Sequence, residues 1–333
     1  MIRYCSTPAG RIAYTSQGAG PPLLCDSGWV THLRRQLELF SFADFIGRLA
    51  ERFTVIRYDK PGCGLSDREG TDLSFEAQVA AALAVADAVR ADRFRLFGAS
   101  QGGQIAAAIA ARHPERVEAL VLYGTCADGG ELAPAEVRDS IVALVRAHWG
   151  IGSKLMTSIF VPDPNAAEVE QFGRLQRAGA SAEVASQLLD IYYGTDISGL
   201  LPAIQAPAAV LHREQDTAAP FPLGREVAAL IPGAVLVPLP GAGHLFYQGE
   251  WEPVLDATLG FLGASARSPL TRRELEVAGL VAKGLTNHAI ATRLSVAPRT
   301  AEAHVENIRR KLQVRSRAQI AAWVTEHQLR APR

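Results

Sequence analysis

The sequence predicts an α/β domain built on a mostly parallel sheet, followed by a small all-α domain. Three observations carry this. Over the first 262 residues, short apolar runs rich in β-branched side chains alternate with longer amphipathic stretches, the pattern of a parallel sheet covered by helices. Residues 128–200 break that alternation with helical patterns alone, too long a stretch for a plain loop. The remaining residues, from 269 to 333, are helical in pattern and differ from the rest in charge.

The candidate strands are Arg11–Ser16, Leu23–Cys25, Thr54–Tyr58, Phe94–Gly98, Val117–Tyr123, Ala208–His212 and Ala234–Leu239. The first of them lie close together without helices between them, so the sheet can start antiparallel. Candidate helices are Phe42–Arg52, Phe75–Arg90, Gln101–His113, Phe221–Ile231 and Trp251–Leu262. The interruption at 128–200 holds Trp149, Met156, Phe160, Phe172, Tyr192 and Tyr193. It reads as a helical lid over the strand ends, and Trp149, Met156, Phe160 and Tyr192 are the candidates for lining a substrate pocket. The same aromatics could equally form the lid's own small core.

The 333 residues carry 34 basic and 34 acidic side chains, yet the balance is uneven. Residues 267–333 hold 13 Lys and Arg against 5 Asp and Glu, which leaves 21 against 29 in residues 1–266. A short basic unit on a larger acidic one points to an anionic polymer as partner, above all nucleic acid. Between them, residues 263–268 are small and polar and run into Pro269, as a linker does. Cys5, Cys25, Cys63 and Cys126 are far apart with no CxxC pair, which excludes a disulfide framework and a Cys-rich zinc site. No signal-peptide pattern and no long apolar run is present, so a cytoplasmic, non-membrane protein is expected.

Chemistry concentrates at strand ends. Phe94–Gly98 runs into Gly98-Ala99-Ser100-Gln101-Gly102 and then an apolar helix. This is GxSxG in strand-turn-helix context, where the sharp turn projects the serine hydroxyl above the sheet. A serine hydroxyl needs a base oriented by an acid. Asp216 follows the strand Ala208–His212, and His244 lies in the Gly-rich loop after Ala234–Leu239. The chain order Ser100, Asp216, His244 is one known arrangement of a triad. Glu214 is an alternative acid; His212 and His113 are other imidazoles, at a strand end and a helix end; Asp216 could also be only a turn former. For the oxyanion, the candidate donors are the Gln101 N–H at the helix start and the Trp29 N–H in the loop after Leu23–Cys25, where Gly28 lets the backbone approach.

Residues 1–262 resemble the α/β-hydrolase superfamily. The resemblance rests on Asp26-Ser27-Gly28-Trp29, on the segment from Arg57 to Asp67 (RYDKPGCGLSD), on the Ser100 elbow, on Asp216 and on Gly241-Ala242-Gly243-His244. It implies acyl transfer to water with no metal or organic cofactor. Ser27-Gly28 departs from the His-Gly common in the oxyanion loop of that superfamily, but the donor is a backbone N–H and survives the change.

In the basic unit, Thr271-Arg272-Arg273-Glu274 is a capping box opening a helix to Ala282, which Gly284 closes. Thr286 can cap a short helix from Asn287 to Leu294. A tight turn with Pro298 leads to a longer helix, Arg299 to about Leu312, and Ser316-Arg317-Ala318-Gln319 caps a last one to about Glu326. Two helices joined by a tight turn, the second basic, form a helix-turn-helix; a small protein-interaction module is the competing reading. Val305, Ile308 and Leu312 share the core face of the longer helix. Candidate DNA contacts are Thr286, Asn287, Arg299, Thr300, His304, Asn307, Arg310, Lys311 and Arg315, the last three toward phosphates.

The span 269–330 resembles the LuxR-type DNA-binding domain. The matching residues include Leu270 to Glu274, Gly284-Leu285-Thr286-Asn287, Ile290-Ala291, Arg299-Thr300, His304, Lys311-Leu312 and Arg315-Ser316-Arg317, with Ala297 and Ala301 departing. The resemblance implies a homodimer formed through the last helix, presenting Ile320, Trp323 and Val324. Together the two units suggest a transcription regulator whose hydrolase-like unit binds, and could hydrolyse, a small ester, lactone or amide. The alternative is a serine esterase or lactonase with a regulatory DNA-binding tail.

Overall fold

Eight strands form one sheet in the order β1-β2-β4-β3-β5-β6-β7-β8. They are β1 (Arg3–Thr7), β2 (Gly10–Gln17), β3 (Pro22–Asp26), β4 (Thr54–Tyr58), β5 (Phe94–Ala99), β6 (Val117–Tyr123), β7 (Ala208–Arg213) and β8 (Val235–Leu239). β1 and β2 pair antiparallel, as do β2 and β4; all other pairs are parallel. β5 and β7 are buried throughout, as continuous apolar runs in a covered parallel sheet should be. The computed structural model describes residues 1–264, 272–294, 296–312, 314 and 316–328.

The strand β1 is absent from the sequence-based assignment. Its residues RYCST lie at the sheet edge, mostly exposed, and so show no apolar alternation; the register Arg3↔Tyr14 to Thr7↔Gly10 holds them in place. Only the pairing partner identifies such a strand.

Helices α1 (Phe42–Ala50), α2 (Phe75–Ala88) and α3 (Gln101–Arg112) alternate with the strands up to β6. Between β6 and β7 come α4 (Ala135–Ala147), α5 (Trp149–Phe160), α6 (Ala166–Gly179) and α7 (Ala182–Gly194); α8 (Phe221–Leu230) precedes β8 and α9 (Glu252–Ala264) follows it. On one side of the sheet Val79, Val85, Ile105, Ile109 and Val227 pack against Leu24, Ile56, Leu96, Leu120 and Val210. From Gln101 to Ala110 every residue of α3 is buried, since Ala and Gly let the helix lie close on the strands. Elsewhere Phe42, Phe45, Phe97, Phe246 and Tyr247 stack in a chain of ring contacts, with centroids 4.8–6.0 Å apart.

Three of the four helices α4–α7 start on side-chain caps, while α4 follows Pro134 without one. Asn165 Oδ1 accepts from the N–H groups of Ala167 and Glu168, and Glu168 returns a bond to the Asn165 N–H at 2.9 Å. Ser181 Oγ accepts from Val184 N–H, and His148 Nδ1 from Ile151 N–H. Their apolar faces close over Trp29 and Val30, with Val145, Met156 and Leu188 in the same cluster.

The chain divides into two compact units, Met1–Leu259 and Gly260–Arg333. In the second lie α10 (Arg272–Ala282), α11 (Asn287–Leu294), α12 (Pro298–Leu312) and α13 (Arg317–Gln328). The turn after α10 ends on Gly284 at φ +80°, and Leu285 N–H reaches back to Leu280 O, a helix-terminating motif that needs a left-handed residue. Ser316 and Gln319 cap α13 reciprocally. The core joins Val277, Val281, Ile290, Ala301, Val305, Ile308, Ile320 and Val324. Each buried Val or Ile contributes about 1.5–3 kcal/mol.

This core corrects the expectation for the last helix. Ile320 and Val324 are buried within the unit, and Trp323 packs partly against the same cluster, so their apolar surface closes the domain instead of facing outward. The linker expected at 263–268 lies, from residue 265 on, outside the described residues, as does Thr271 of the first capping box. Among the described residues no helix is long and apolar enough to cross a membrane.

Candidate functional site

Ser100 occupies the turn between β5 and α3 at φ 54° and ψ −127°, a region that side-chain-bearing residues avoid. The surroundings hold it there. Ser100 N–H donates to Tyr123 O at 2.9 Å, and Thr125 Oγ1 donates to Ser100 O at 2.8 Å. The glycines beside it are required by space. A Cβ on Gly98 would stand 2.5 Å from Gly102 O, and one on Gly102 would collide with the Asp26 carboxylate.

The structure brings Ser100, His244 and Asp216 together from three strand ends. His244 Nε2 lies 2.9 Å from Ser100 Oγ, and His244 Nδ1 lies 2.8 Å from Asp216 Oδ2. Asp216 Oδ1 accepts from Ala218 and Ala219 N–H groups, so both oxygens of this buried carboxylate are engaged. Burial pushes the Asp216 carboxyl up; the charge and hydrogen bond of His244, with the Ala219 N–H, outweigh it and hold the pKa below the ordinary value. Glu214 is exposed, which removes it as the acid. His212 is buried behind Asp216, its Nε2 2.7 Å from Ala219 O and its pKa lowered by burial; His113 sits on the surface beside Glu115.

The oxyanion loop passes next to the serine. Gly28 has φ +123°, and a Cβ there would lie 3.9 Å from Ser100 Cβ. Gln101 begins α3, so its N–H has no acceptor within the helix; among the described residues the Trp29 N–H has no acceptor either. Ser27, which stands where His is common, accepts from Gln36 Nε2 at 2.8 Å.

Beneath this loop lies a polar cluster that the sequence reading did not single out as functional. Asp26 accepts from Tyr58 OH at 2.5 Å and from Gly28 N–H at 3.2 Å, with Lys60 Nζ 3.4 Å away. Lys60 is fully buried; burial lowers its pKa, and it donates to Gln101 Oε1 at 3.1 Å. Gln101 Nε2 donates on to Leu188 O in α7. One ion pair therefore touches both the Gly28-Trp29 loop and Gln101, the two stretches expected to supply oxyanion donors. A second missed residue is Arg213. It is buried and donates to the carbonyls of Gly243, Gln248 and Glu250, which fixes the loop carrying His244. Lys60 falls in the segment from Arg57 to Asp67 and Arg213 just past the strand Ala208–His212, and only the fold reveals what they reach.

Above Ser100 is a cavity of about 210 Å³. Met156, Phe160 and Tyr192 line it, together with Ile141, Leu189 and Tyr193. The Tyr192 hydroxyl faces Ser100 and accepts from Cys126 Sγ at 3.7 Å. Trp149 does not line the cavity. It packs edge-on against Trp29 at 5.8 Å and spends its indole N–H on Ala180 O, so it belongs to the lid's interior.

In the second unit, Ala301, Val305 and Ile308 bury one face of α12, while Arg299, Thr300, Glu302, Glu306 and Arg310 stay exposed. His304 and Asn307 are half-buried, and Asn307 Oδ1 accepts from Arg310. Three other candidates have structural partners. Thr286 caps α11 through Ala289 N–H, Asn287 Oδ1 accepts from Arg317, and Lys311 Nζ lies 2.6 Å from the buried Glu274. Arg315 lies outside the described residues.

Comparison with known proteins agrees with both units. Residues 21–248 match the alpha/beta hydrolase fold family, and residues 268–324 match the luxR family of bacterial regulatory proteins. The pimeloyl-[acyl-carrier protein] methyl ester esterase of Chromobacterium violaceum is 31% identical over 248 residues, covering 68% of this chain and 88% of that protein. The nitrate/nitrite response regulator NarL of Escherichia coli is 33% identical over 91 residues, 26% of this chain and 42% of its own length. The crystal structure of a hydrolase from Pseudomonas aeruginosa superimposes with a TM-score of 0.67 at 27% identity, over 79% of this chain and 98% of that one. The chain thus belongs to the alpha/beta hydrolase fold family and carries, in the same polypeptide, a LuxR-type DNA-binding domain.

Proposed function

We propose that this protein is a LuxR-type transcription regulator whose hydrolase unit binds and hydrolyses a small ester, lactone or amide. The observation that carries the reading is the hydrogen-bonded line from Ser100 through His244 to Asp216, opening on a lidded cavity. Ser100 Oγ attacks the carbonyl carbon while His244 Nε2 takes its proton. Asp216 keeps the proton of the neutral imidazole on Nδ1 and stabilises the imidazolium that forms. The N–H groups of Trp29 and Gln101 receive the oxyanion. His244 returns the proton to the leaving alcohol or amine, and water then releases the acid by the same steps in reverse. The esterase named among the relatives supports the reaction class.

The exposed face of α12 is the part proposed to enter the major groove, with the protein acting as a homodimer on promoter DNA. Ligand occupancy can regulate only if two conformations bind it with different affinity. The test has two arms. Hydrolysis of a chromogenic ester should vanish in Ser100→Ala. A reporter driven by DNA selected for binding to the full chain should respond to Arg310→Ala. If Ser100→Ala leaves hydrolysis intact, the catalytic reading fails; if the chain retains no selected duplex, the regulatory one does.

A further inference from the structure

We infer that the hydrolase unit acts on esters or amides of a short, uncharged, apolar acyl group of about six to eight carbons. This rests on the catalytic reading above and adds the identity of the acyl group. The cavity over Ser100 has about 210 Å³, and a water occupies about 30 Å³ of liquid, so there is room for about seven groups of that size. The walls are Trp29, Ile141, Met156, Ile159, Phe160 and Leu189 on the apolar side, and His244 is the only ionisable base or acid among them besides the phenols. No Lys, Arg, Asp or Glu lines it.

The nearest arguments for a charged substrate fail on geometry. Arg138 stands over the Tyr193 ring at 5.8 Å, but its guanidinium is spent on the carbonyls of Ala133 and Tyr193. Thr217 Oγ1 donates to Ile159 O, and the Tyr192 hydroxyl, which accepts from Cys126, offers a neutral donor but no charge. A carboxylate or phosphate in the cavity would be stripped of water with no partner of opposite charge, a cost that exceeds the apolar gain of a short chain. A long chain fails for want of volume, because the second cavity that touches Ser100 and His244, between Trp29, Phe172 and Gln176, adds only about 40 Å³.

The experiment is the rate at which Ser100 is phosphonylated by the neutral diesters ethyl p-nitrophenyl alkylphosphonates, Ser100 Oγ displacing p-nitrophenolate from phosphorus, read as release of p-nitrophenolate and as mass added at Ser100. The chains are methyl, hexyl, dodecyl and 5-carboxypentyl. Each buried methylene is worth up to about fourfold, so hexyl should exceed methyl by at least tenfold. Dodecyl should fall at least tenfold below hexyl, and 5-carboxypentyl about 100-fold. Ile141→Trp should move the optimum to a shorter chain. Rates that stay flat or rise to dodecyl, or a carboxylate chain as fast as hexyl, overturn the inference and leave the catalytic reading standing. Failure of every reagent to label Ser100 overturns both.

Discussion

The Phe160 ring lies stacked on the His244 imidazole, with centroids 5.3 Å apart and planes 28° from parallel, and the Phe160 carbonyl accepts the His244 N–H at 2.8 Å. The last residue of α5 therefore braces His244, the proposed base, through both its side chain and its backbone. Lid and base are one mechanical piece.

Phe160→Ala keeps the backbone bond and removes the brace. A base free to move by about 1 Å costs on the order of 10²-fold in rate. We expect kcat on a butyrate ester to fall by roughly 10- to 100-fold, with a smaller change in KM. Steady-state kinetics with Phe160→Ala and Phe160→Tyr would check this, the tyrosine variant restoring most of the rate.

The Lys60–Asp26 pair makes an opposite kind of demand. Both side chains are buried, and removing one partner strands the other charge. Lys60→Met should cost about 3–5 kcal/mol, whereas replacing a buried pair by apolar groups of similar volume is often close to neutral. Asp26→Leu with Lys60→Met should therefore recover much of the loss in urea unfolding of the hydrolase unit. A double variant as unstable as the sum of the single ones would contradict the coupling.

Asp59 gives a pH signature. Burial pushes its carboxyl up from 3.8 to about 6, against the N–H donors of Leu65 and Leu33. A carboxyl whose pKa is higher folded than unfolded binds its proton more tightly in the folded chain. Its favourable contribution is full below the unfolded value and is lost as pH rises to about 6. The stability difference between Asp59→Asn and the parent should thus shift toward the variant between pH 4 and 6.5, by on the order of 3 kcal/mol. Denaturant melts across that range would show it, and a constant difference would refute it.

Arg310 and Lys311 are adjacent and basic, yet they have different work. Arg310 is exposed on α12, while Lys311 pairs with the buried Glu274. Arg310→Ala should weaken binding to any duplex and reduce the salt slope, log K against log salt, by about 1. Lys311→Ala should instead lower the melting temperature of the second unit by removing the ion pair to the buried Glu274 carboxylate. Salt titrations of DNA binding and calorimetry of the two variants separate the roles.

How much of this was readable from the residues alone follows from range. That Ser100, Asp216 and His244 meet was legible because each stands just past a strand, and the strands announce themselves as apolar runs. The alternation gave the sheet and its helices for the same reason. What was hidden depends on contacts across the fold. β1 is polar and exposed and is held by pairing alone. Arg213 reads as the end of a strand until its three carbonyl partners, 30 to 37 residues away, are brought to it. Trp149 looked like a pocket residue because aromatic type says nothing of direction, and its indole turns to Ala180 O. Likewise Ile320 and Val324 follow the same apolar spacing whether they close their own core or pair with a second chain.

In the proposed reaction Ser100 carries the acyl group. The direct measurement is the first turnover of p-nitrophenyl hexanoate with the full chain at concentrations high enough to see one equivalent. A burst of one p-nitrophenolate per chain is expected, followed by slower steady release, with the burst absent in Ser100→Ala and the steady rate down by at least about 10³-fold. A burst of equal size in Ser100→Ala would contradict it.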